Sequence, residues 1–413
     1  MHRRSFLGLV ALARQASLGA TGSEGSFLFK VRGKAGLFGG GERLGFMNAD
    51  GSGLRLFDFQ RPNEMGWGPY AFFKDGRRAI VLSIEMDEDW KTKPFQVYYP
   101  KSRTHIWICD LYTGGLTELA QKERIAPFYA PCALLPGEQR LLVGVNRQPQ
   151  EQLFSMNLDG TDARPISRPD EYVYGVSVSP DGARVAFHAD YRISVTNIDG
   201  SGRVPVAGRK GYVYFGTSWS PDGKWVLYQV CQPGTDPGHD WSDIWIGRPD
   251  GSENRQLTHG ESAWFAASYG APDNPGSGSI MPCWAPDGSG ILYAQRLPDS
   301  KVPWEFQPRR PDTNHFNRDF NPKSARGGTR IALLDPKNGT SRPLTNLEPP
   351  QWEFRPEWSP DSQRILFARA EVGCNPAIWV MDRDGGNQRK LTGGVDGQGA
   401  DFPRWLPRRG MTR

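Results

Sequence analysis

The sequence predicts an all-β fold, a seven-bladed β-propeller of four-stranded antiparallel blades, for two reasons. First, one unit recurs along the chain: an aromatic residue, a Ser-Pro-Asp-Gly turn, an alternating apolar strand, an Ile-Trp-like strand, an Asp-Gly turn and a closing Leu-Thr. Second, the 413 residues include 49 glycines and 34 prolines, as expected of a turn-rich protein. No apolar run is long enough for a membrane-spanning helix, so no membrane span is expected.

The Ser-Pro-Asp-Gly motif predicts a hairpin turn. Proline presets φ at the second turn position, aspartate can bond its own backbone, and glycine adopts a conformation that other residues resist. The copies begin at Ser179, Ser220, Ala285 and Ser359, with degenerate versions at Lys74 and Leu135.

Period-two apolar runs between the turns, such as 224–228 and 364–367, predict strands. A lone four-stranded sheet cannot bury both faces, so each unit must stack on its neighbours in a closed ring. The tryptophans that precede the turns, Trp219, Trp284 and Trp358, are therefore expected to pack between blades.

Six complete units are predicted, over residues 66–120, 126–167, 171–207, 211–258, 278–345 and 352–392. Residues 26–59 hold further strands but lack an opening strand, which residues 401–405 supply at the other end of the chain. Pairing the C-terminal strand with the N-terminal strands would make a seventh blade and close the ring. Residues 26–407 then form a single domain, followed by a tail over 408–413.

The N-terminal residues 1–25 contain a twin arginine, Arg3-Arg4, followed by Phe6-Leu7 and a short apolar run. This segment resembles a Tat export signal, which implies a periplasmic or otherwise extracytoplasmic protein. Arg14 interrupts the apolar run, so a disordered cytoplasmic tail is the alternative. The formal charge of +5 includes three arginines and no acid in the first twenty residues, so a processed chain would carry +2. That balance is not a nucleic-acid signature.

The cysteines specify neither a metal site nor a disulfide framework. Cys109, Cys132, Cys231, Cys283 and Cys374 lie in separate repeats and have no CxxC spacing. Under oxidising conditions Cys231 and Cys283 are the pair to test, because they fall in neighbouring units, and buried free thiols are the alternative. The residues predict no cofactor.

The repeated units resemble the WD-type repeats of TolB-like propellers over nearly the whole chain after residue 25. The resemblance implies the fold. It does not specify an activity, because propellers serve as scaffolds, receptors, peptidases and polysaccharide lyases alike.

The long insertions all fall on one face of the predicted ring. In a four-stranded blade, the turns joining strands one to two and three to four lie on one face, here called the turn face. The loops joining strands two to three and the crossovers between blades lie on the other, and the insertions at 86–104, 231–241, 259–277 and 296–328 make it the insertion-bearing face. Long ordered loops in a compact fold are usually binding loops. The alternative is that these insertions have no binding role and are simply tolerated by the fold.

Candidate ligand-binding residues lie in these insertions and at the mouth of the ring. They are His239, Asp240, His259, Trp264, Arg309, Arg310, Asp312, His315, Arg318, Asp319 and Arg355. Histidines near acids and arginines suit metal ligation, general-base chemistry or carboxylate binding by bidentate arginine. The alternative for each histidine is a hydrogen-bonding role at the surface. The alternative for the charged residues at 309–319 is that they form salt bridges within their own loop. No HxH or HExxH spacing supports a metal site, and no catalytic residue is assigned.

A narrower resemblance covers residues 88–114. Glu88-Asp89-Trp90-Lys91, Phe95-Gln96, Tyr98-Tyr99-Pro100 and Asp110-Leu111-Tyr112-Thr113-Gly114 are similar to one blade of the oligogalacturonate lyases, also seven-bladed propellers. The resemblance implies a divalent metal, typically manganese, held by histidines and a glutamine during β-elimination.

The lyase pattern fails at one element. In those enzymes a His-Pro-His-Pro stretch precedes a turn like the last one here, where this chain has Glu353-Phe354-Arg355-Pro356. Both histidines are missing, which argues against a metal lyase of that kind. Arg355 and Glu353 are left to line the mouth of the ring.

Two functions follow as hypotheses. The first is an exported TolB-like module, expected to be a monomer, that binds a protein or glycan partner through the insertion-bearing face; the absence of a GxSxG or spaced metal cluster favours it. The alternative is an extracytoplasmic lyase on acidic oligosaccharides, with arginines neutralising the uronate and a histidine or tyrosine as base. Convergence of His239, His259, His315 and Arg355 on one pocket would favour the enzyme. Peptidase accessory domains and cytoplasmic scaffolds complete the alternatives.

Overall fold

The computed structural model describes residues 25–32, 42–59, 61, 64–88, 92, 97, 101–123, 125, 132–147, 150–169, 171, 173–231, 241–263, 280–306, 318–346, 351–393 and 399–407. The predicted export signal and the predicted tail over 408–413 lie outside these residues. Within them, no helix combines the length and the apolar character needed to cross a membrane.

The regular secondary structure of the described chain consists almost entirely of strands. The first eleven are β1 (Ser26–Val31), β2 (Arg43–Asn48), β3 (Arg55–Phe57), β4 (Glu64–Phe72), β5 (Arg78–Glu85), β6 (Arg103–Asp110), β7 (Leu116–Leu119), β8 (Cys132–Leu134), β9 (Arg140–Arg147), β10 (Gln150–Asn157) and β11 (Arg164–Pro165). The next eleven are β12 (Val173–Val178), β13 (Arg184–Ala189), β14 (Arg192–Asn197), β15 (Val204–Ala207), β16 (Val213–Trp219), β17 (Val226–Cys231), β18 (Trp241–Gly247), β19 (Asn254–Gln256), β20 (Ser262–Ala263), β21 (Cys283–Trp284) and β22 (Ile291–Arg296). The last nine are β23 (Trp304–Phe306), β24 (Arg318–Phe320), β25 (Thr329–Leu334), β26 (Ser341–Pro343), β27 (Gln351–Trp358), β28 (Arg364–Glu371), β29 (Ala377–Asp382), β30 (Arg389–Lys390) and β31 (Ala400–Trp405).

The strands form an all-β propeller with antiparallel four-stranded blades. Across the described residues, five sheets have four strands: β31-β1-β2-β3, β4 to β7, β8 to β11, β12 to β15 and β27 to β30. A nine-stranded sheet contains β16 to β22, β25 and β26, because the short strand β20 pairs with both β18 and β22. The predicted fold class is confirmed at this level, and the count of seven blades stays a prediction.

The C-terminal strand pairs with the N-terminal strands, as the sequence predicts. Phe27 of β1 lies opposite Trp405 of β31, and the pairing continues to Val31 opposite Ala400. Backbone hydrogen bonds extend it at both ends, from Arg32 N–H to Gly399 O and from Leu406 N–H to Ser26 O, each 2.9 Å. Both ends of the domain therefore meet in one sheet.

Local side-chain chemistry explains the repeated turns. Ser220 Oγ donates to the Asp222 carboxylate at 2.7 Å and accepts the Trp225 N–H at 3.0 Å. The same carboxylate accepts the Lys224 N–H at 3.1 Å. Each Ser-Pro-Asp motif thus closes its own hairpin through the serine and aspartate side chains, and this prediction is confirmed.

The hydrophobic core is divided into clusters between neighbouring blades. One cluster joins Leu292 and Ile331 of one blade to Ile365 and Phe367 of the next, and Trp358 packs in it. Trp219 and Trp284 are buried as well. Trp219 Nε1 donates to the Ser177 carbonyl of the preceding blade at 3.2 Å. The predicted inter-blade role of these tryptophans is therefore confirmed.

Each turn between strands three and four places a glycine against the outer strand of the preceding blade or the residue that follows it. A methyl group on Gly251 would lie 2.7 Å from the Pro205 carbonyl oxygen, so only glycine fits this contact. The turn glycine and its neighbour in the preceding blade are Gly51 and Leu391, Gly114 and Phe57, Gly160 and Ala120, Gly200 and Pro165, Gly251 and Pro205, Gly339 and Leu257, and Gly385 and Leu344. These contacts lead from blade to blade and return to the starting blade.

Arginines on outer strands add a second inter-blade contact. Each donates a hydrogen bond to a carbonyl group in the strand-three-to-four turn of the next blade. The pairs are Arg55 with Leu111 at 2.7 Å, Arg255 with Lys337 at 3.3 Å, Arg342 with Asp384 at 3.0 Å and Arg389 with Ala49 at 2.7 Å. The last pair joins the blade β27 to β30 to the sheet that holds both chain ends.

The first strand of a blade, its inner strand, carries a β-bulge in several blades. At Gly66, Gly175 and Gly216 the bulge places a glycine at positive φ. At the corresponding irregularities of β27 and β31 the residues with positive φ are Arg355, at 51°, and Phe402, at 52°. Such conformations cost non-glycine residues about 1–2 kcal/mol each, so the surroundings must hold these two side chains in place.

Candidate functional site

Hydrogen bonds or strand pairing fix the insertions at the points where they leave the blades. Asp87 N–H donates to Ser102 Oγ at 3.2 Å across the base of the insertion at 86–104. In the insertion at 231–241, Cys231 Sγ contacts the Trp241 carbonyl at 3.6 Å. Strand β20, in the segment 259–277, is paired on both sides by strands of two neighbouring blades. These connections leave the blades from fixed positions.

The insertion at 296–328 contains secondary structure of its own. The backbones of Lys301 and Arg326 exchange hydrogen bonds of 2.9 and 3.1 Å at its base, and Ser300 Oγ both donates to and accepts from the Gly328 backbone at 2.8 Å. Beyond this base, β23 and β24 pair as an antiparallel ribbon, and a single 3₁₀ turn follows at Pro322–Ser324. This insertion is therefore closed at its base by hydrogen bonds and contains a strand pair of its own.

Most of the predicted ligand-binding residues lie outside the described residues. These are His239, Asp240, Trp264, Arg309, Arg310, Asp312 and His315. Arg318 and Asp319 contribute backbone to β24, opposite Phe306 and Glu305 of β23. The convergence predicted for the histidines and Arg355 includes members outside the described chain, so it stays a prediction.

His259 lies on the surface, just after the outer strand β19. Its side chain is exposed, and its Nδ1 lies 3.2 Å from Gln256 Nε2. The ring is therefore accessible to a partner on the insertion-bearing side of its blade.

Arg355 lies in the inner strand β27 and is engaged by the closing strand. Its Nη1 lies 2.6 Å from the Asp401 carboxylate, and the two side chains are 7% and 0% exposed. The guanidinium also lies 3.8 Å from the centroid of the Phe402 ring, which is 38% exposed. The chain itself thus supplies the carboxylate and the aromatic face that Arg355 contacts.

Glu353 lies two residues earlier on β27 and is fully buried, away from the mouth where the sequence placed it. Arg369 donates to its carboxylate from Nη2 at 2.6 Å and from Nε at 2.8 Å, and Ile331 N–H and the Thr345 hydroxyl donate as well. Burial raises the pKa of Glu353 above its ordinary value, against the opposing charge of Arg369. Its hydrogen bonds to β25 and to Thr345 make it an inter-blade support.

Asp401 and Phe402 were missed as partners of Arg355 by sequence reasoning. A signal exists: residues 355–358 read Arg-Pro-Glu-Trp and residues 402–405 read Phe-Pro-Arg-Trp. Both strands place a residue other than glycine immediately before Pro-x-Trp, whereas β16 has Gly216 at the equivalent place. Alignment of these two inner strands would have selected the pair.

A separate group of ionisable side chains surrounds His105 on β6. Its Nδ1 lies 2.6 Å from Glu118 and its Nε2 lies 3.0 Å from Glu85, while the histidine itself is buried. Arg103 also contacts Glu85, at 3.0 Å. Although burial acts to raise it, the pKa of Glu85 is lowered on balance by the His105 hydrogen bond and the Arg103 charge.

Metal-ligating groups were sought in the described part of the chain. There, no three histidine, cysteine, aspartate or glutamate side chains are grouped as a metal site would require. Cys109, Cys231, Cys283 and Cys374 are free thiols. Burial raises the pKa of the Cys109 thiol to about 12.

Comparison with known proteins supports the fold. No model of a known protein family matches the chain. A solved oligogalacturonate lyase in complex with manganese is similar over 78% of this chain and 75% of its own, with a TM-score of 0.51 and 14% identity. TolB from Acinetobacter baumannii is similar over 93% of this chain and 67% of its own, with a TM-score of 0.47 and 14% identity. A prolyl endopeptidase structure matches over 89% of this chain and 50% of its own, with a TM-score of 0.54 and 9% identity.

At identities this low, structural likeness establishes the fold alone. The chain is an all-β propeller, and its architecture resembles that of the solved oligogalacturonate lyase.

Proposed function

We propose that the protein is an exported, seven-bladed propeller that binds a protein or glycan partner through its insertion-bearing face. The observation that carries this proposal is the insertion at 296–328. Its base is closed by Lys301 and Arg326, and it has its own strand pair β23 and β24. A long connection that is built in this way on a rigid scaffold is typical of a binding element.

The proposed ring of seven blades is supported by the contacts on the turn face. The glycine turns contact the preceding blade in a cycle that begins and ends at the sheet holding both chain ends. On this interpretation the nine-stranded sheet is two blades, bridged where β20 joins β18 to β22. The twin arginine near the N-terminus supports export.

The buried Arg355 favours binding over metal-assisted elimination. At the place where the lyase resemblance calls for metal-ligating histidines, this chain has an arginine in contact with its own Asp401. Arg309, Arg310 and Arg318, which the sequence predicts to bind a ligand, remain candidates for neutralising an acidic partner.

The test is a titration of the purified protein with galacturonate oligomers, with and without manganese. Calorimetry measures binding, and ultraviolet absorbance measures any unsaturated product. Binding without product is the expected result. Product formation would replace the proposal with the lyase alternative, and the absence of both would exclude galacturonate oligomers as the partner.

A further inference from the structure

A short hairpin and a crossover meet on the insertion-bearing face of the blade β12 to β15. The hairpin between β13 and β14 has only two residues, Asp190 and Tyr191. The crossover from β15 to β16 begins at Gly208, and the stem of Arg192 lies across it, since a methyl group on Gly208 would be 2.7 Å from Arg192 Cγ. The hairpin and the crossover therefore form one continuous surface.

Tyr191 has a backbone conformation that does not suit it. Its φ is 57° and that of Asp190 is 51°, as in two-residue hairpins that usually carry asparagine and glycine. Such a conformation costs a bulky residue about 1–2 kcal/mol. The side chain is nevertheless 39% exposed, so burial does not explain why a tyrosine is placed here. Strain of this kind is typical of residues that have a binding role.

Three cationic side chains are exposed on the same surface: Arg192, Arg209 and Lys210. Within the described part of the chain, no acidic side chain forms an ion pair with any of them. The Arg209 guanidinium lies over the Tyr212 ring, 4.8 Å from its centroid, which holds this charge at the surface. Asp190 is the one acid of the two connections, so together they carry a formal charge of +2.

We call this region the basic surface, and it consists of Tyr191, Arg192, Arg209, Lys210 and Tyr212. Its guanidinium and ammonium groups donate hydrogen bonds and cannot accept them, so they match ionised carboxylates, which only accept. Sugar hydroxyls also donate, and Asp190 offers the only carboxylate here. Tyrosine and arginine are, in addition, enriched at the centres of protein interfaces.

We propose that the basic surface binds an acidic segment of a protein partner. This inference rests on the function proposed above, in which the insertion-bearing face holds a protein or a glycan, and it identifies the partner at this place as a protein. The unpaired cations attract the segment, and the stem of Arg192 and the ring of Tyr212 keep two guanidinium groups in position before it binds.

Fluorescence anisotropy with a labelled peptide of ten glutamates tests the proposal, at low and at physiological salt. The unmodified chain should bind the peptide, and more weakly at the higher salt, because exposed charges are screened. The double variant Arg192→Gln with Lys210→Gln should bind about tenfold more weakly, since it removes two charge-assisted contacts.

Lys224→Gln with Lys337→Gln is the matched control. Both lysines are exposed and lie in turns of the turn face, so this variant loses the same two charges on the opposite side of the ring. Its binding of the peptide should equal that of the unmodified chain.

Tyr191→Gly separates binding from folding. Glycine adopts the positive φ of this position without strain, so the unfolding temperature should not fall. Binding of the peptide should weaken about fivefold, because the exposed ring is lost.

The proposal is overturned if the peptide does not bind, or if the basic-surface variant and the turn-face control bind it equally. It is also overturned if the basic-surface variant loses binding of galacturonate oligomers and not of the peptide, which would make the partner a glycan. Failure of the function proposed above would show differently, as unchanged binding after removal of the insertion at 296–328.

Discussion

The Arg355 guanidinium and the Asp401 carboxylate, 2.6 Å apart and both buried, join an inner strand to the strand that closes the terminal sheet. Removing one partner of such a pair leaves an uncompensated charge in the protein interior, at a cost of about 3–5 kcal/mol. We expect losses of this size in the free energy of unfolding for Arg355→Met and for Asp401→Asn, measured by urea denaturation. The double variant should lose much less than the sum of the two. Additive losses would mean that the two groups are not coupled.

Glycine at the bulge of β16 is required by its backbone and by its neighbour. Gly216 has φ of 63°, and a methyl group there would overlap the Met281 side chain. Gly373 has φ of 83° with open space around it, so Gly373→Ala reports backbone strain alone. Gly216→Ala should cost about 1 kcal/mol more than this control in urea denaturation, because the end of the Met281 side chain must also move aside. Adding Met281→Ala should recover part of that difference, and equal costs for the two glycines would refute the assignment.

The carboxylate of Glu85 should contribute a pH-dependent stabilisation. Its pKa in the folded protein is lowered, so its contribution is present above the ordinary glutamate pKa and is lost as the pH falls through the folded value. Glu85→Gln should therefore be less stable than the unmodified chain at pH 7, and the difference should shrink at about pH 3. Urea denaturation across this range measures it. A difference that grows as the pH falls would contradict the sign.

The C-terminal strand should contribute far more stability than its length suggests. Ending the chain after residue 398 removes β31, including the buried Trp405, and leaves Arg355 without Asp401. We expect a loss of at least about 3–5 kcal/mol, or failure to fold. A chain that ends after residue 407 is the control, since it keeps every strand among the described residues. Similar unfolding midpoints for the two truncations would show that β31 does not hold the sheet.

Sequence reasoning predicted those parts of the fold that short segments determine. Ser220 and Asp222 close their own turn with side-chain hydrogen bonds, so the motif is readable wherever it recurs. The role of residues 401–405 was also readable, because a single strand with the inner-strand pattern was left over at one end of the chain and lacking at the other.

From the sequence, the candidate binding site could be predicted only as one face of the ring, and not as a set of contacting residues. The contact of Arg355 with Asp401 joins residues 46 positions apart, and the only sequence signal for it is the likeness of residues 355–358 to residues 402–405. Likewise, no Pro-Asp-Gly or Asp-Gly turn in the sequence between β23 and β24 indicates that these two strands pair. Functional residues in insertions follow no repeat, so periodicity indicates where they lie without indicating which of them bind.

The most direct test of the account is removal of the built insertion from an otherwise intact ring. Residues 303–324 are replaced by Gly-Gly, so that the Lys301 and Arg326 backbone pair closes a short hairpin. The deletion removes six of the predicted ligand-binding residues, namely Arg309, Arg310, Asp312, His315, Arg318 and Asp319. The control is Ser362→Gly, which suits the positive φ of this residue in a turn between strands one and two, on the turn face.

Calorimetric titration with galacturonate oligomers gives the decisive measurement. We expect the shortened chain and the control to unfold at similar temperatures, and only the shortened chain to lose binding. Undiminished binding by a folded, shortened chain would contradict the assignment of function to this insertion.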